Sequence, residues 1–353
     1  MKKVLIIQQK MIGDVLTSSI LFEAIKQHHP NWELHYLVNS HTTAVVDQNP
    51  FIDKLVFFTP EIEQSKRQLF KFSSKLKREN YDVIIDVYSK LSSNIITLFS
   101  GAETKISYHK SYTSWVYTHN IKRAKTPIQG MGLAILNRLQ LLEPLDITPE
   151  PIKPKIYLTS EEIAEAKGLI ESHHIDKNKP IYMIGALGSG ATKTYPLDYL
   201  AKVLDQIVEQ TNATLLFNYI PKQKPEVDTL FSYCNEKTKS HIKIDLYGSS
   251  LRSFLALTSL CDALIGNEGG AVNMAKALNI KTFTIFSPWI DKATWSLFEN
   301  EDNVSVHLKD FSPEIYQGKS EKDMKQRVDE LYLAFKPDLF TSELQLFLQH
   351  TNS

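Results

Sequence analysis

The feature that most constrains the fold is a short β-rich run followed by a helical stretch, repeated along the chain. Val4 to Gln8 is the first run, and a helical pattern follows until Pro30. Three more strand candidates lie in the N-terminal half: Glu33 to Val38, Leu55 to Phe58 and Val83 to Val87. A helix from about Glu61 to Glu79 separates the last two. Strands separated by helices of this length predict a parallel sheet.

A proline-rich segment then interrupts the pattern. Between Glu143 and Pro154 the chain carries Pro144, Pro149, Pro151 and Pro154, a density that breaks helices and suits a connector between domains. Five more strand candidates follow: Ile181 to Ile184, Thr214 to Phe217, Ile242 to Leu246, Ala263 to Ile265 and Thr282 to Phe286. The pattern predicts an α/β protein of two Rossmann-like domains whose parallel sheets face a central cleft. We place the domains at residues 1–150 and 151–325, with a helical segment, 326–353, packing back on them.

Composition narrows the class of protein. The 353 residues contain 40 Lys and Arg and 40 Asp and Glu, so binding of nucleic acid through overall positive charge is not expected. Cys234 and Cys261 form no CxxC pair, which argues against a disulfide scaffold and fits a reducing cytoplasm. No apolar run approaches the ~18 residues of a membrane span. We expect a soluble cytoplasmic protein.

Charge is unevenly distributed along the chain. Residues 1–150 carry 18 basic and 14 acidic residues, a net charge of +4, and no acid occurs from Thr104 to Leu142. That segment interleaves cations with aromatic residues: Lys105, Lys110, Lys122, Arg123, Lys125 and Arg138 with Tyr108, Tyr112, Trp115 and Tyr117. It is either a solvated loop and helix face or a docking surface for an anionic acceptor.

A second basic run, from Lys66 to Arg78, falls on a predicted helix. Leu69, Phe72 and Leu76 recur on it at helical spacing. The apolar stripe either packs on the sheet or lies against anionic lipid headgroups. The second alternative would give the protein a peripheral contact with the inner-membrane surface.

The first loop, Gln9 to Val15, follows the first strand directly. Gly13 permits a tight turn, and Asp14 opens a helix at the carboxyl edge of the sheet, where open α/β folds bind ligands. Asp14 is either a helix cap or a general base.

A second glycine-containing loop runs from Gly185 to Pro196, between a strand and a helix. Its backbone amides and the helix dipole predict a phosphate site, with Thr192 donating a hydrogen bond and Lys193 a full charge. The loop matches neither a Walker A motif nor a complete GxGxxG, which disfavours kinase and NAD functions.

A third loop, Ile265 to Asn273, again leads from a strand into a helix. Gly269 and Gly270 would expose amides to a diphosphate, and Glu268 could accept hydrogen bonds from sugar hydroxyls. The sequence contains no HExxH, DxD or GxSxG motif, so neither a metal nor a cofactor is expected.

With these three loops in order, the chain resembles the family 9 glycosyltransferases, the heptosyltransferases of lipopolysaccharide core assembly. The resemblance rests on Val4 to Val15, Tyr81 to Asp86, Ser100 to Ala102, Gly188 to Pro196 and Ile265 to Pro288. It implies a GT-B fold, a donor held mainly by the C-terminal domain, and inverting transfer without a bound metal. The donor would be a nucleoside-diphosphate sugar, such as an ADP-heptose, and the acceptor an anionic glycolipid.

The resemblance also implies roles for individual residues. Asp14 becomes the base for the acceptor hydroxyl, with Lys193 as its catalytic partner on the diphosphate. The full set of donor-binding candidates is Gly190, Thr192, Lys193, Glu226 (for the ribose), Glu268, Gly269, Gly270 and Asn273. The acceptor-binding candidates are Lys10, Gly13, Asp86 and Lys90.

This chain departs from the family pattern at two places. Gln9 and Lys10 stand where the family often has an arginine, and Glu268, Gly270 and Asn273 stand in place of a DxGxxH-like pattern. The departures imply either a different donor sugar or lost activity. Lost activity would leave a noncatalytic protein that binds sugar nucleotides. A sugar nucleotide epimerase also remains open, because it would have the same architecture.

Overall fold

The computed structural model describes residues 1–128, 131–148 and 150–351. By contact density the chain divides into two compact units, Met1–Tyr157 and Leu158–Ser353. The division lies just beyond the proline-rich segment, of which Pro149 is outside the described residues.

Each unit contains one sheet of parallel strands. The first sheet has the order β3-β2-β1-β4-β5-β6 and the second the order β11-β10-β9-β7-β8. The strands of the first unit are β1 Lys3–Ile7, β2 Glu33–Val38, β3 Lys54–Phe57, β4 Val83–Asp86, β5 Thr104–Tyr108 and β6 His119–Ile121. Those of the second are β7 Ile181–Gly185, β8 Thr214–Phe217, β9 Ala263–Asn267, β10 Lys281–Ile285 and β11 Asn303–Val306. Because the strands are parallel, the loops that leave their carboxyl ends gather at one edge of each sheet.

Helices connect most of these strands. In the first unit they are α1 Ile12–Ser18, α2 Ile20–His28, α3 Pro60–Gln64, α4 Lys66–Lys77, α5 Leu91–Phe99 and α6 Leu133–Leu139. In the second they are α7 Ser160–Ser172, α8 Leu197–Thr211, α9 Lys224–Tyr233, α10 Glu236–His241, α11 Leu251–Thr258, α12 Gly270–Ala277, α13 Lys292–Trp295, α14 Leu308–Phe311, α15 Glu321–Gln326, α16 Val328–Ala334 and α17 Thr341–Thr351. Short 3₁₀ helices span Ser40–Val45, Ser114–Val116, Gln140–Leu145, Ala191–Lys193, Pro221–Gln223, Pro313–Tyr316 and Pro337–Phe340.

Two predictions of secondary structure were wrong, and three strands were not predicted. The helix predicted from Glu61 to Glu79 is two helices, because Ser65 leaves the helical conformation and its side chain caps α4. The strand predicted at Ile242 to Leu246 is reduced to a single bridge between Leu215 and Ile242. The sequence pattern also missed β5, β6 and β11, which contain polar residues that dilute the apolar signal.

The basic helix α4 packs on the sheet of the first unit. Leu69 and Leu76 are buried in a cluster with strand residues such as Leu5 and Ile84, and Phe72 packs against it. The apolar stripe is therefore a core face. The alternative in which this stripe lies on lipid headgroups was wrong.

The C-terminal helical segment belongs to the second unit. Phe335, Phe340 and Phe347 are buried with β10 residue Phe283 in the core of that unit. The ring centroids of Phe283 and Phe340 are 6.1 Å apart, and those of Phe283 and Phe347 5.6 Å. The segment thus completes the hydrophobic core beside the second sheet.

This packing predicts that Phe340→Ala lowers the free energy of unfolding by about 3–5 kcal/mol, because truncation of a buried phenylalanine loses apolar contacts and leaves a cavity. Urea denaturation of the purified variant measures the effect. Leu346→Ala, at an exposed position of the same segment, is the matched control and should change stability little. Equal effects of the two substitutions would contradict the assignment of Phe340 to the core.

Candidate active site

Asp14 lies in the first turn of α1, at the carboxyl edge of the first sheet. Met11 occupies the cap position with φ 61°, and no side chain caps the helix. Gly13 contributes its carbonyl oxygen, which accepts a hydrogen bond from Thr17. The interpretation of Asp14 as the helix cap was therefore wrong, and its carboxylate is engaged elsewhere.

A buried arginine holds the Asp14 carboxylate. Arg138 Nη2 donates to Asp14 Oδ1 at 2.6 Å, Nε donates to Ser18 Oγ at 2.8 Å, and Nη1 donates to the Ala134 carbonyl at 2.7 Å. Arg138 is 6% exposed, whereas the Asp14 side chain is 28% exposed. The prediction that Arg138 belongs to a docking surface was wrong: its guanidinium is a fixed support for Asp14.

Other parts of the acid-free segment are also structural. Tyr108 and Tyr117 are buried, and the segment supplies both β5 and β6. Gln129 and Gly130 lie outside the described residues. The exposed remainder includes Tyr112 and Trp115, so the two alternatives offered for this segment each describe only part of it.

Asp86 ends β4 and is fully buried. Its carboxylate accepts hydrogen bonds from the Ser89 amide and the Tyr117 hydroxyl, each at 2.7 Å. Burial raises the pKa of this carboxyl group to about 6. The structure therefore places Asp86 behind the surface, where it organises the turn from Ser89 to Lys90.

The two lysines predicted to bind acceptor differ in their surroundings. Lys10 pairs with Glu63, which raises the pKa of the lysine. Lys90 is exposed at the start of α5 and pairs with no acidic side chain among the residues the structure describes. Lys90 is thus the more available of the two for an anion.

In the second unit, the loop after β7 is shaped by a close approach at Gly188. A Cβ atom on this residue would lie 2.0 Å from the Lys193 carbonyl oxygen, so only glycine fits. The Gly188 amide donates to Thr194 Oγ1, which in turn donates to the Gly190 carbonyl. Gly190 itself has open space around it.

The Thr192 carbonyl anchors this loop to neighbouring elements. It accepts hydrogen bonds from Ser287 Oγ at 2.8 Å, from Trp289 Nε1 at 2.9 Å and from the Tyr332 hydroxyl at 3.4 Å. The Thr192 residue is otherwise exposed. The Thr192 side chain, which was predicted to bind phosphate, is therefore accessible, while these three hydrogen bonds hold its backbone in place.

The second and third loops meet through an ion pair. Lys193 Nζ lies 3.3 Å from Oε1 of the buried Glu268, and over the Trp289 ring at 5.6 Å from its centroid. Gly269, at φ 152°, caps α12, which begins at Gly270. Asn273 follows in the first turn of α12 and is half-buried. These donor-binding candidates come together at the carboxyl edge of the second sheet.

Sequence reasoning missed the residue that joins these loops. Asn267 Oδ1 accepts from the Tyr195 amide at 2.6 Å, and Nδ2 donates to the carbonyls of Gly185 at 2.8 Å and Ala186 at 3.0 Å. The signal that could have found it is an amide side chain at the end of a buried strand. Glu226, by contrast, lies exposed on α9 and forms no hydrogen bond or ion pair with the described residues of this cluster.

Two kinds of feature are absent from the part of the chain that the structure describes. It contains no group of three His, Cys, Asp or Glu side chains placed to hold a metal ion. Within the same residues, no helix has the length and apolar character needed to cross a membrane.

Comparison with known proteins identifies the family. The model of glycosyltransferase family 9 (heptosyltransferase) matches residues 69–325, which include the second and third loops. The chain belongs to glycosyltransferase family 9. Its resemblance to that family is confirmed, and the chain is a glycosyltransferase. Lipopolysaccharide heptosyltransferase 1 of Campylobacter coli is 23% identical over 305 residues, covering 80% of this chain and 83% of that protein.

Solved structures show the same fold. A family 9 glycosyltransferase from Veillonella parvula has a TM-score of 0.74 at 15% identity, covering 94% of this chain and 97% of its own. The E. coli heptosyltransferase WaaC with ADP has a TM-score of 0.67 at 13% identity, covering 93% and 99%. The predicted α/β fold class of GT-B type is confirmed.

The geometry at Gly188 predicts that Gly188→Ala lowers the thermal unfolding midpoint, because the added methyl group must displace the Lys193 backbone. Gly190→Ala is the matched control: its φ of 176° is extended backbone, and no atom lies within 4 Å of the new methyl group. Thermal unfolding of both variants checks this. If Gly190→Ala lowered the unfolding midpoint as much as Gly188→Ala, the steric explanation would be contradicted.

Burial of Asp86 predicts a pH dependence of stability. In the folded state the Asp86 carboxyl group has a pKa of about 6, whereas in the unfolded chain its pKa is near the ordinary value of 3.8. The carboxyl group therefore destabilises the fold progressively as the pH rises through this window, by up to about 3 kcal/mol. Urea unfolding of the wild type and Asp86→Asn across the window measures it: the wild type should lose stability relative to the variant. Parallel curves would contradict the raised pKa.

Proposed function

We propose that this chain is an inverting, metal-independent transferase that moves heptose or a related sugar from a nucleoside-diphosphate sugar to a lipopolysaccharide-core or related glycolipid acceptor. The observation that carries the proposal is the Asp14 carboxylate, fixed through Oδ1 by a buried arginine. No hydrogen bond to Oδ2 is formed by the residues described. This second oxygen is therefore available to accept a proton from an acceptor hydroxyl.

The donor side of the reaction needs positive charge where the leaving diphosphate becomes negative. Lys193 supplies an ammonium group, Thr192 a hydroxyl group, and Gly269 and Gly270 backbone amides at the start of α12. Donors fixed before the reaction stabilise such charge without reorganisation. Glu268 holds Lys193 in place in the free protein and accepts from sugar hydroxyls in the complex.

The stereochemistry follows from a single displacement. The acceptor oxygen attacks the anomeric carbon as its proton passes to Asp14, and the bond to the diphosphate oxygen breaks on the opposite face. One displacement inverts the configuration at that carbon. Lys90, exposed at the carboxyl edge of the first sheet, is the acceptor-side cation in this proposal. ADP, present in a WaaC structure of the same fold, is the first leaving group to test.

The proposal predicts different effects for Asp14→Asn and Lys193→Ala. Asparagine still accepts from Arg138 but cannot take a proton, so transfer should fall by about 10²–10⁴-fold while nucleotide affinity stays near wild type. Lys193→Ala should weaken nucleoside diphosphate binding. Thermal unfolding with ADP, GDP, UDP and CMP measures binding, since a ligand at 100 times its Kd stabilises by about 2.7 kcal/mol; release of diphosphate from a nucleotide-heptose measures transfer.

Three outcomes of these assays would contradict parts of the proposal. Equal loss of nucleotide binding in both variants would overturn the division of roles between the two units. Wild-type transfer by Asp14→Asn would exclude Asp14 as the base. A wild-type chain that binds a nucleotide sugar but transfers nothing to any glycolipid acceptor would instead be the noncatalytic binding protein that the Glu268 and Asn273 departures suggest.

A further inference from the structure

Four strongly exposed side chains of apolar character lie in the segments of the first unit that follow β1, β4 and β5. Met11 is 66% exposed, Leu91 76%, Tyr112 72% and Trp115 71%. Isolated exposed apolar residues are common, but a group of four in neighbouring segments indicates a binding surface. We refer to these four residues as the apolar rim.

Hydrogen bonds show that the segments carrying the apolar rim are neighbours. Ser92 Oγ donates to Gln9 Oε1 at 2.7 Å, which joins the start of α5 to the loop before α1. Lys110 Nζ donates to the Ser89 carbonyl at 2.5 Å, which joins the segment after β5 to the turn before α5. Trp115 Nε1 donates to the Tyr112 carbonyl at 3.3 Å, so these two residues share one turn.

Cations surround the same segments. Lys90 precedes Leu91 directly, and Lys110 lies two residues before Tyr112. Arg123 lies over the Tyr108 ring, with its guanidinium 4.0 Å from the ring centroid. Burial lowers the pKa of Lys110, and the charges of Lys90 and Arg123 lower it further. None of these three cations forms an ion pair with an acid among the residues the structure describes. The three side chains are therefore available to pair with an anion outside the protein.

We propose that the apolar rim and these three cations form a docking surface for an anionic phospholipid bilayer. Aromatic and aliphatic side chains enter the boundary between headgroups and acyl chains, while lysine and arginine pair with the phosphates. A free anionic ligand would account for the cations but would leave the four apolar side chains in water. The bilayer accounts for both.

This surface overlaps the basic and aromatic segment from Thr104 to Leu142, but it differs from the lipid contact suggested for α4. The stripe that sequence suggested for lipid contact is not available, because Leu69 and Leu76 of α4 are buried; apart from its charged side chains, that helix exposes Phe70. The apolar rim instead belongs to segments near the carboxyl edge of the first sheet, and Met11 lies three residues before Asp14. A glycolipid acceptor could therefore reach Asp14 while its acyl chains remain in the bilayer, a consequence that rests on the proposed function. The docking itself does not.

Vesicle sedimentation tests the proposal with the full-length protein. Wild type should sediment with vesicles of phosphatidylglycerol and phosphatidylcholine, and much less with phosphatidylcholine alone. Leu91→Ser with Trp115→Ser should weaken the binding by about tenfold or more, because each lost apolar side chain removes roughly a kcal/mol of transfer free energy. Lys90→Gln should weaken the binding more at low salt than at high salt.

The matched control changes exposed apolar residues of the second unit. Leu333→Ser with Leu346→Ser removes two leucines that are each 67% exposed, and vesicle binding should remain at the wild-type level. A blue shift of tryptophan emission on vesicles, lost in Trp115→Phe, would place Trp115 at the lipid. Trp115→Phe itself should keep most of the binding, since it keeps an aromatic ring.

Three results would overturn the proposal. They are no sedimentation of wild type with either vesicle, equal sedimentation of wild type and the Leu91–Trp115 double variant, and self-association in the absence of lipid that the double variant abolishes. The last would make a second copy of this chain the partner. None of these measurements involves sugar transfer, so their failure is distinguishable from failure of the proposed reaction.

Discussion

The candidate site of the second unit depends on one buried amide. Asn267, at the end of β9, bonds both carbonyls at the end of β7 and the amide of Tyr195 at the start of α8. Tyr195 in turn donates through its hydroxyl to the Phe335 carbonyl at 2.6 Å, in the C-terminal segment. A buried amide with all of these partners satisfied fixes the separation of two strands and the path of the loop between them. Glu268 follows Asn267 directly and Lys193 lies two residues before Tyr195, so these hydrogen bonds help to position both partners of the ion pair.

Both candidate sites use the same physical device: a charged group that faces solvent is held by a partner that does not. Asp14 is partly exposed and rests on buried Arg138, while Lys193 is partly exposed and rests on buried Glu268. A buried charge without its partner is strongly destabilising, so each pair constrains the exposed member to one position. That position is set before any ligand arrives, as electrostatic stabilisation of a transition state requires.

Much of the fold was predictable because it depends on local pattern. Periodicity located eight of the strands within a residue or two, and glycines between a strand and a helix identified the second and third loops. It failed at β5, β6 and β11, whose polar residues interrupt the apolar pattern. It also placed Arg138 on the surface, because nothing near position 138 in the sequence indicates that its partner is at position 14.

The sequence by itself determined the two α/β halves, the three loops that carry the candidate site, and the family to which they point, since all of these are recorded in residues close together in the chain. Only the tertiary structure decided which charges are paired and which remain available. Arg138 and Asp14 are 124 residues apart, and Asn267 and Gly185 are 82 residues apart. Such contacts are set by strand order and register, which place distant residues at one sheet edge and which no local pattern encodes.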